Sequence, residues 1–195
     1  AGSVDFPSSP PECSPVEHAL DSHASKEEIL SLFSHVLSEV VSQNSSGAER
    51  VVVGMGFPGP FDYEKGICLI SGVSKFENLY GADVAAHLLS NPPYPHEVRF
   101  RNDAEAALVG EARFGNAARY RRIIGLTLGT GIGSAFMVDG VVTKFPNAHS
   151  ADGWLYPVLF NGVPADEIFS TRGIESRLSA KGCTTYSVAD AAEDR

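Results

Sequence analysis

Two short segments of this sequence contain residue types that can do chemistry. Residues 101–107 (RNDAEAA) put a carboxylate where an apolar strand pattern gives way to a helical one. Residues 128–133 (LGTGIG) carry glycine at every second position. A carboxylate can accept a proton, and glycines let a backbone approach a ligand closely and adopt positive φ. The sequence therefore offers one candidate base and one candidate phosphate-binding turn.

Asp103 has two interpretations from its local sequence. It or Asn102 can be a plain helix N-cap, a role worth roughly 1 kcal/mol. Alternatively, the positive end of the helix favours an ionised Asp103 that accepts a proton at neutral pH. Asn102 can both donate and accept hydrogen bonds, which suits a sugar hydroxyl.

The glycine segment is neither of two familiar phosphate loops. It lacks the Gly-Lys-Ser/Thr ending of a P-loop. It also lacks the helix that follows the glycines of a dinucleotide-binding motif, because Ser134 opens a strand pattern instead. What remains is a tight turn between two strands. It is either a plain hairpin or a site where amides and the Thr130 hydroxyl hold phosphate oxygens.

The surrounding pattern predicts the elements that position these segments. It predicts helices at 26–43, 83–89, 104–114, 166–179 and 187–193, strands at 49–57, 97–100, 122–128 and 134–138, and hairpins at 62–71 and 134–143. Ser25 and Glu28 have the spacing of a capping box. The apolar runs at 51–53 and 122–128 predict strands buried on both faces. This order predicts an α/β protein with mixed sheets in two lobes.

Together the two segments resemble those of the ROK family of sugar kinases (repressors, open reading frames, kinases). Residues 102–107 resemble the family's Asn-Asp-Ala-Asn-Ala-Ala segment, with Glu105 replacing the second asparagine. Residues 53–60 with Asp62 resemble its strand ending in a Pro-Gly turn beside the sugar. Residues 110–118 resemble its helix end between lobes, and residues 126–133 resemble the hairpin of its ATP site.

The resemblance implies an actin-like ATPase, ribonuclease H-like fold whose two lobes close on ATP and a hexose. Asp103 would be the general base that takes the proton from the primary hydroxyl of the sugar. Asn102, Gly59 and Pro58 would bind the sugar. Glucose, mannose, fructose and N-acetylhexosamines all fit this framework, and a homodimer is expected because relatives often form one.

The resemblance also implies the nucleotide site. The backbone and hydroxyl groups at Gly129, Thr130, Gly131 and Gly133 would bind the phosphates of ATP, and Mg²⁺ would offset their charge. The carboxylate at Asp103 would then face the glycine turn across a cleft. The predicted lobes are a sugar-binding lobe at 16–118 and the start of a nucleotide-binding lobe at 119–195, after a flexible tail at 1–15.

Three features depart from the family pattern. The family's first phosphate loop, Asp-Xaa-Gly-Gly-Thr, does not occur before residue 26, and the sequence ends before the adenine-binding helices. Residues 150–157 replace the zinc-binding His/Cys cluster, so neither structural zinc nor a metal-ligating residue is expected; residues 169–172 (FSTR) resemble a subgroup that lacks zinc. A surface loop is the favoured interpretation of His149 and Asp152. We interpret the missing ends as truncation or degeneracy, and expect no ATP turnover by this chain alone.

Charge, apolar runs and cysteine content limit the classes of partner and compartment that we expect. The formal net charge of -9 disfavours nucleic acid and anionic membranes, whose phosphates an acidic surface repels. No apolar run reaches the roughly 20 residues that span a bilayer, so a cytoplasmic location is expected. The cysteines, Cys13, Cys68 and Cys183, are odd in number and far apart, which favours reduced thiols.

Two alternatives to an active sugar kinase remain open. One is a kinase-like binding protein that has kept the fold and lost the chemistry, as the missing loops suggest. The other is a sugar-responsive transcriptional regulator, because the family includes repressors. The second needs a basic winged-helix domain, and no segment of this acidic chain resembles one.

Overall fold

The computed structural model describes residues 16–44, 50–72 and 75–182. The chain forms two compact units, Ala1–Asp103 and Ala104–Arg195. The helices are α1 (Lys26–Asn44), α2 (Val84–Ser90), α3 (Asp103–Phe114), α4 (Ala165–Phe169) and α5 (Thr171–Ala180). The strands are β1 (Val52–Phe57), β2 (Phe61–Asp62), β3 (Ile67–Cys68), β4 (Glu97–Asn102), β5 (Arg122–Leu128), β6 (Ile132–Val138), β7 (Val141–Val142), β8 (Leu159–Phe160) and β9 (Val163–Pro164). The predicted tail at 1–15 and helix at 187–193 lie outside the described residues.

The first unit is built on a parallel pair of strands. β1 pairs with β4 in the register Val52 to Glu97 through Phe57 to Asn102. The antiparallel hairpin β2–β3 and helix α2 lie between these strands in sequence. The core combines α1, both strand regions and α2, and its buried members are Ile29, Leu30, Phe57, Phe61, Cys68, Ile70, Leu79, Ala82, Val84 and Leu88. Burial raises the pKa of the Cys68 thiol, because it disfavours the charged thiolate.

The predicted capping box at the start of α1 is confirmed. The Ser25 backbone N–H donates to Glu28 Oε2 at 2.9 Å, and the Glu28 N–H donates to Ser25 Oγ at 3.3 Å. Each side chain thus satisfies an amide that has no partner inside the helix. Ile29 and Leu30 then face the core of the first unit.

The second unit contains the antiparallel sheet β5–β6–β7. The predicted hairpin turn at Asp139 and Gly140 is confirmed, and both residues have positive φ, 51° and 80°. Helix α3 packs on this sheet, and the buried core residues are Ala104, Leu108, Ala135 and Met137. α3 therefore belongs with the second unit from Ala104 onward, and the assignment of sugar and nucleotide to particular lobes stays a prediction. Among the described residues, no helix has the length and apolar character needed to cross a membrane.

The prediction that β1 and β5 are buried on both faces is wrong. Side chains alternate between exposed and half-buried along β5 and along β1 as far as Gly56, and only Phe57 at the end of β1 is buried. Val52 is 48% exposed, and Ile124 and Leu128 are 68% and 64% exposed. Within the described residues β1 has the single strand partner β4, and β5 lies at the edge of its sheet. An element covers only one face of β5, where Leu108 of α3 lies against Gly125.

The prediction of a single helix at 166–179 is also wrong, because this segment forms two helices, α4 and α5, separated by Ser170. Ser170 is extended, and its Oγ accepts from the Gly173 N–H at 3.2 Å, so it is the N-cap of α5. The following turn packs tightly on α4. A Cβ at Gly173 would lie 2.2 Å from the Glu167 carbonyl oxygen. Glycine at this position therefore permits the contact between α4 and α5.

We expect Gly173→Ala to lower the free energy of unfolding by about 1–3 kcal/mol, because overpacking moves the backbone of α4. Gly110→Ala is the matched control. Gly110 lies within α3, and a Cβ added there would meet no atom within 4 Å, so alanine should stabilise that helix by about 0.5–1 kcal/mol. Urea unfolding measures both values. Equal effects of the two substitutions would contradict the packing assigned to Gly173.

Candidate functional site

The sugar-binding residues predicted from the sequence share one edge of the first unit. In a parallel pair both strands end at the same edge, and here Phe57 is level with Asn102. Pro58 and Gly59 follow β1 directly, and Asn102 and Asp103 end β4 and begin α3. The structure therefore brings these predicted residues to neighbouring strand ends. Asp103 is exposed as the first residue of α3.

Tyr63 connects the two strand ends and was not predicted. Its Oη donates to the Phe57 carbonyl oxygen at 3.1 Å and accepts from Asn102 Nδ2 at 3.3 Å. The ring also packs against Phe61, with centroids 5.3 Å apart. The hydroxyl orients the Asn102 amide, so Asn102 presents its side chain to the strand edge in a defined direction. No local sequence signal marks Tyr63, because its partners lie in other elements.

Asp62 belongs to the hairpin turn beside this edge. Its Oδ1 accepts from the Lys65 backbone N–H at 3.0 Å, and this hydrogen bond holds the pKa of the Asp62 carboxyl below its ordinary value. The carboxylate therefore stabilises the turn between β2 and β3.

The predicted phosphate-binding turn lies between β5 and β6 of the second unit. The Gly129 N–H donates to the Gly131 carbonyl oxygen at 3.0 Å. None of Gly129, Gly131 and Gly133 lies in the left-handed region. The lack of a side chain matters at Gly133. A Cβ at Gly133 would lie 2.2 Å from Thr127 Oγ1, whereas one at Gly129 would meet open space.

Helices α4 and α5 hold this turn. Asp166 Oδ1 accepts from the Ile132 N–H at 2.8 Å, and the Thr171 N–H donates to the Gly129 carbonyl oxygen at 2.8 Å. Arg172 lies 3.6 Å from Asp166 Oδ2. The segment 169–172, which resembles a subgroup of the family, thus lies against the glycine turn. Asp166 itself was missed, since nothing in its own sequence links it to a residue so far upstream.

Two backbone N–H groups of the turn make no hydrogen bond to the described protein. Across the part of the chain that the structure describes, no protein acceptor is found for the amides of Thr130 and Gly131. Thr130 is exposed. The Asp166 carboxylate beside the turn is itself paired with Arg172, at 3.6 Å.

Residues 150–157, where the sequence departs from the family pattern, form a mostly half-buried loop, and its Leu155 N–H donates to Ser134 Oγ of β6 at 3.0 Å. Lys144 forms an ion pair with Asp152, which raises the pKa of the lysine. The Asn147 Oδ1 accepts from the backbone N–H groups of His149 and Ser150. These contacts build turns within the loop. Trp154 packs on Tyr156, with ring centroids 5.8 Å apart.

Comparison with known proteins now shows the family. The sequence model of the ROK family matches residues 15–150, which is most of the chain. The chain therefore belongs to the ROK family, and its fold class is the α/β, actin-like ATPase class that the sequence predicted.

Two curated relatives illustrate the range of the family. A glucokinase of Thermotoga maritima is 34% identical over 104 residues, which are 53% of this chain and 32% of that protein. A xylose repressor of Caldicellulosiruptor bescii is 25% identical over 115 residues, which are 58% of this chain and 28% of that protein. The chain thus spans about a third of the length of the curated relatives it matches.

Solved structures support the same fold. An inorganic polyphosphate/ATP-glucomannokinase of an Arthrobacter strain superposes with a TM-score of 0.60 and 28% identity, over 80% of this chain and 56% of that one. A glucokinase of Streptomyces griseus in complex with glucose and AMPPNP gives 0.57 at 20% identity, over 83% and 53% of the two chains. A ROK-family transcriptional regulator gives 0.64 at 18% identity, over 87% and 48%. The last two matches show the fold alone.

We expect Tyr63→Phe to lower the free energy of unfolding by about 1 kcal/mol, because the Phe57 carbonyl and the Asn102 amide both lose a hydrogen-bond partner. The control is Tyr80→Phe, since the Tyr80 side chain is 64% exposed and its hydroxyl should contribute less than about 0.5 kcal/mol. Chemical unfolding of both variants measures the difference. If Tyr63→Phe is as harmless as Tyr80→Phe, the hydroxyl does not connect the strand ends.

Proposed function

We propose that this chain supplies sugar-binding and phosphate-binding segments of an ATP-dependent hexose kinase. The observation that carries the proposal is the parallel pairing of β1 with β4, which puts Pro58, Gly59, Asn102 and Asp103 at neighbouring strand ends. Ligands of open α/β sheets bind outside the carboxyl ends of the strands. A glucokinase and a glucomannokinase among the relatives make glucose the first sugar to test.

Asp103 is the proposed general base. In the proposed reaction it takes the proton of the sugar's primary hydroxyl while that oxygen forms a bond to the γ-phosphorus of ATP. The bond from the γ-phosphorus to the bridging oxygen breaks, and ADP leaves with that electron pair. Asn102, oriented by Tyr63, binds a sugar hydroxyl. Such reactions depend mainly on positioning and electrostatics, so no covalent nucleophile is needed.

The turn between β5 and β6 is the proposed phosphate site. The amides of Thr130 and Gly131 and the Thr130 hydroxyl donate to phosphate oxygens, and the open space at Gly129 admits the phosphate. These donors fit an anion, and Arg172 lies 3.6 Å from the neighbouring Asp166 carboxylate, whose charge it partly offsets. Mg²⁺ bound to ATP would neutralise the phosphates themselves. In this assignment the first unit is the sugar-binding lobe and the second begins the nucleotide-binding lobe.

A sugar-responsive regulator is the second candidate, because a xylose repressor is among the relatives. It would use the same sugar-binding edge without phosphoryl transfer. The net charge of -9 disfavours DNA contact by this part of the chain. The regulator therefore predicts hexose binding that is unaffected by ATP, and no ADP release.

We expect Asp103→Asn to lower hexose-dependent ADP release by about 10²–10⁴-fold, because the base is lost while the shape of the site is kept. The assay couples ADP release to an indicator reaction, with glucose first in a panel of hexoses. It uses the natural full-length protein that carries this sequence. Asp139→Asn is the control, because Asp139 is an exposed turn residue paired with Arg121 and asparagine tolerates its positive φ.

Activity that survives Asp103→Asn would remove Asp103 from its role. If activity is lost, hexose binding by the wild type and by Asp103→Asn, measured by calorimetry, distinguishes loss of the base from loss of the sugar site. Hexose binding without turnover in the wild type would favour the regulator or a degenerate kinase. Unchanged hexose affinity in Asp103→Asn with reduced turnover is the outcome that the proposal predicts.

We expect Gly129→Ala to weaken ATP binding by about tenfold or more, because a methyl group displaces the phosphate from its amide donors. The substitution should leave folding intact, since no atom lies within 4 Å of the added Cβ. Gly54→Ala, which also meets no atom, is the control and should bind ATP normally. Calorimetric titration with MgATP measures both. Unchanged affinity in Gly129→Ala would make the turn a plain hairpin.

A further inference from the structure

Three metal-ligating side chains lie together on and just before α1, and none of them belongs to the sugar or phosphate segments. His18 precedes the helix, and His35 and Glu39 lie four residues apart within it. One ligand atom from each of the three lies within 4.8 Å of those of the other two. Residues four apart in a helix share a face, so the two α1 side chains point to the same side as His18.

We propose that His18, His35 and Glu39 bind a Zn²⁺ ion. Two imidazole nitrogens and one carboxylate oxygen form a donor set that zinc takes with a water in the fourth position. Mg²⁺ and Ca²⁺ prefer oxygen ligands throughout, so this set favours a transition-metal ion of zinc's class. The proposed site is independent of the proposed kinase function, because it shares no residue with the sugar or phosphate segments.

The geometry requires only small side-chain movements. His18 Nε2 and Glu39 Oε2 are 2.8 Å apart, whereas two ligands of a tetrahedral zinc, with bonds of about 2.0–2.2 Å, lie about 3.3 Å apart. The metal would therefore replace a hydrogen bond and separate these atoms by about 0.5 Å. The rings of His18 and His35 are nearly perpendicular at 87°, with centroids 5.6 Å apart. This is an edge-to-face contact, which brings the two imidazoles close to the Glu39 carboxylate.

A neighbouring amide orients the carboxylate ligand. Gln43 Nε2 donates to Glu39 Oε1 at 3.2 Å, while Glu39 Oε2 faces His18. Such hydrogen bonds to ligating carboxylates are common around metal sites and strengthen binding. The hydrogen bond between His18 and Glu39 and the edge-to-face contact of the His18 and His35 rings hold the three side chains together without a metal. Their ligand atoms lie within 4.8 Å of one another, close enough for one ion to contact all three.

A metal here would connect the segment before α1 to the middle of that helix. Asn78 Nδ2 already binds the carbonyl oxygens of His23 and Ala24, at 3.0 and 2.9 Å, at the start of the helix. His18 lies further from that anchor, and the zinc would fix it to α1. Because the metal binds the folded arrangement, its binding should stabilise the first unit.

The test is calorimetric titration of the reduced protein with ZnCl₂ in wild type, His35→Ala and Glu39→Gln. Glu39→Gln keeps the size and hydrogen-bonding capacity of the side chain and removes the charged ligand. His149→Ala is the control, since the His149 contact that builds the loop of the second unit is made by its backbone N–H. We expect one zinc per wild-type chain and a Kd raised by about tenfold or more in both site variants. The control should match the wild type.

Thermal unfolding gives a second readout. Zinc should raise the Tm of the wild type and of His149→Ala, and leave that of His35→Ala unchanged. His35 is exposed, so its substitution should not prevent folding. Zinc binding that is equally tight in His35→Ala, or no stoichiometric binding by the wild type, would overturn the proposal.

Discussion

The parallel pairing of β1 with β4 is the constraint on which the candidate sugar site depends. Because Phe57 is level with Asn102, the chain leaves both strands at one edge. Tyr63 then ties the two ends, since its hydroxyl bonds to Phe57 and to Asn102. The position of Asp103 at the first turn of α3 follows from the end of β4. Asp103 therefore directly follows Asn102, whose side-chain amide is oriented by Tyr63.

Hydrogen bonds from α4 and α5 fix the glycine turn of the second unit. Asp166 and Thr171 bond to backbone groups that flank the turn, while the amides of Thr130 and Gly131 are left for a ligand. The Asp166 carboxylate is paired in turn with Arg172 of the segment 169–172. The backbone N–H of Thr171 in the same segment bonds to the Gly129 carbonyl oxygen, so this segment holds the turn in place.

Short-range sequence patterns predicted most helices, strands and turns. Strand exposure and the missed site residues depend on tertiary contacts. The capping box at Ser25 and the turn at Asp139 were correct because their hydrogen bonds are made within a few residues. The break before α5 was missed because Gly173 packs against a carbonyl of the preceding helix. Tyr63 and Asp166 were missed because their hydrogen-bond partners lie in other elements of the fold. Exposure of β1 and β5 depends on which elements cover them, and an apolar run alone does not contain that information.

We propose one role for Asp103, at the sugar hydroxyl, and one for the glycine turn, at the phosphates of ATP. These roles are tested most directly by a crystal structure of the natural full-length protein with a hexose and a non-hydrolysable ATP analogue. The account predicts an Asp103 carboxylate oxygen about 2.6–3.2 Å from the sugar's primary hydroxyl. It also predicts that the amides of Thr130 and Gly131 contact phosphate oxygens in the same complex. An Asp103 carboxylate directed away from the bound sugar, or phosphates bound elsewhere, would contradict it.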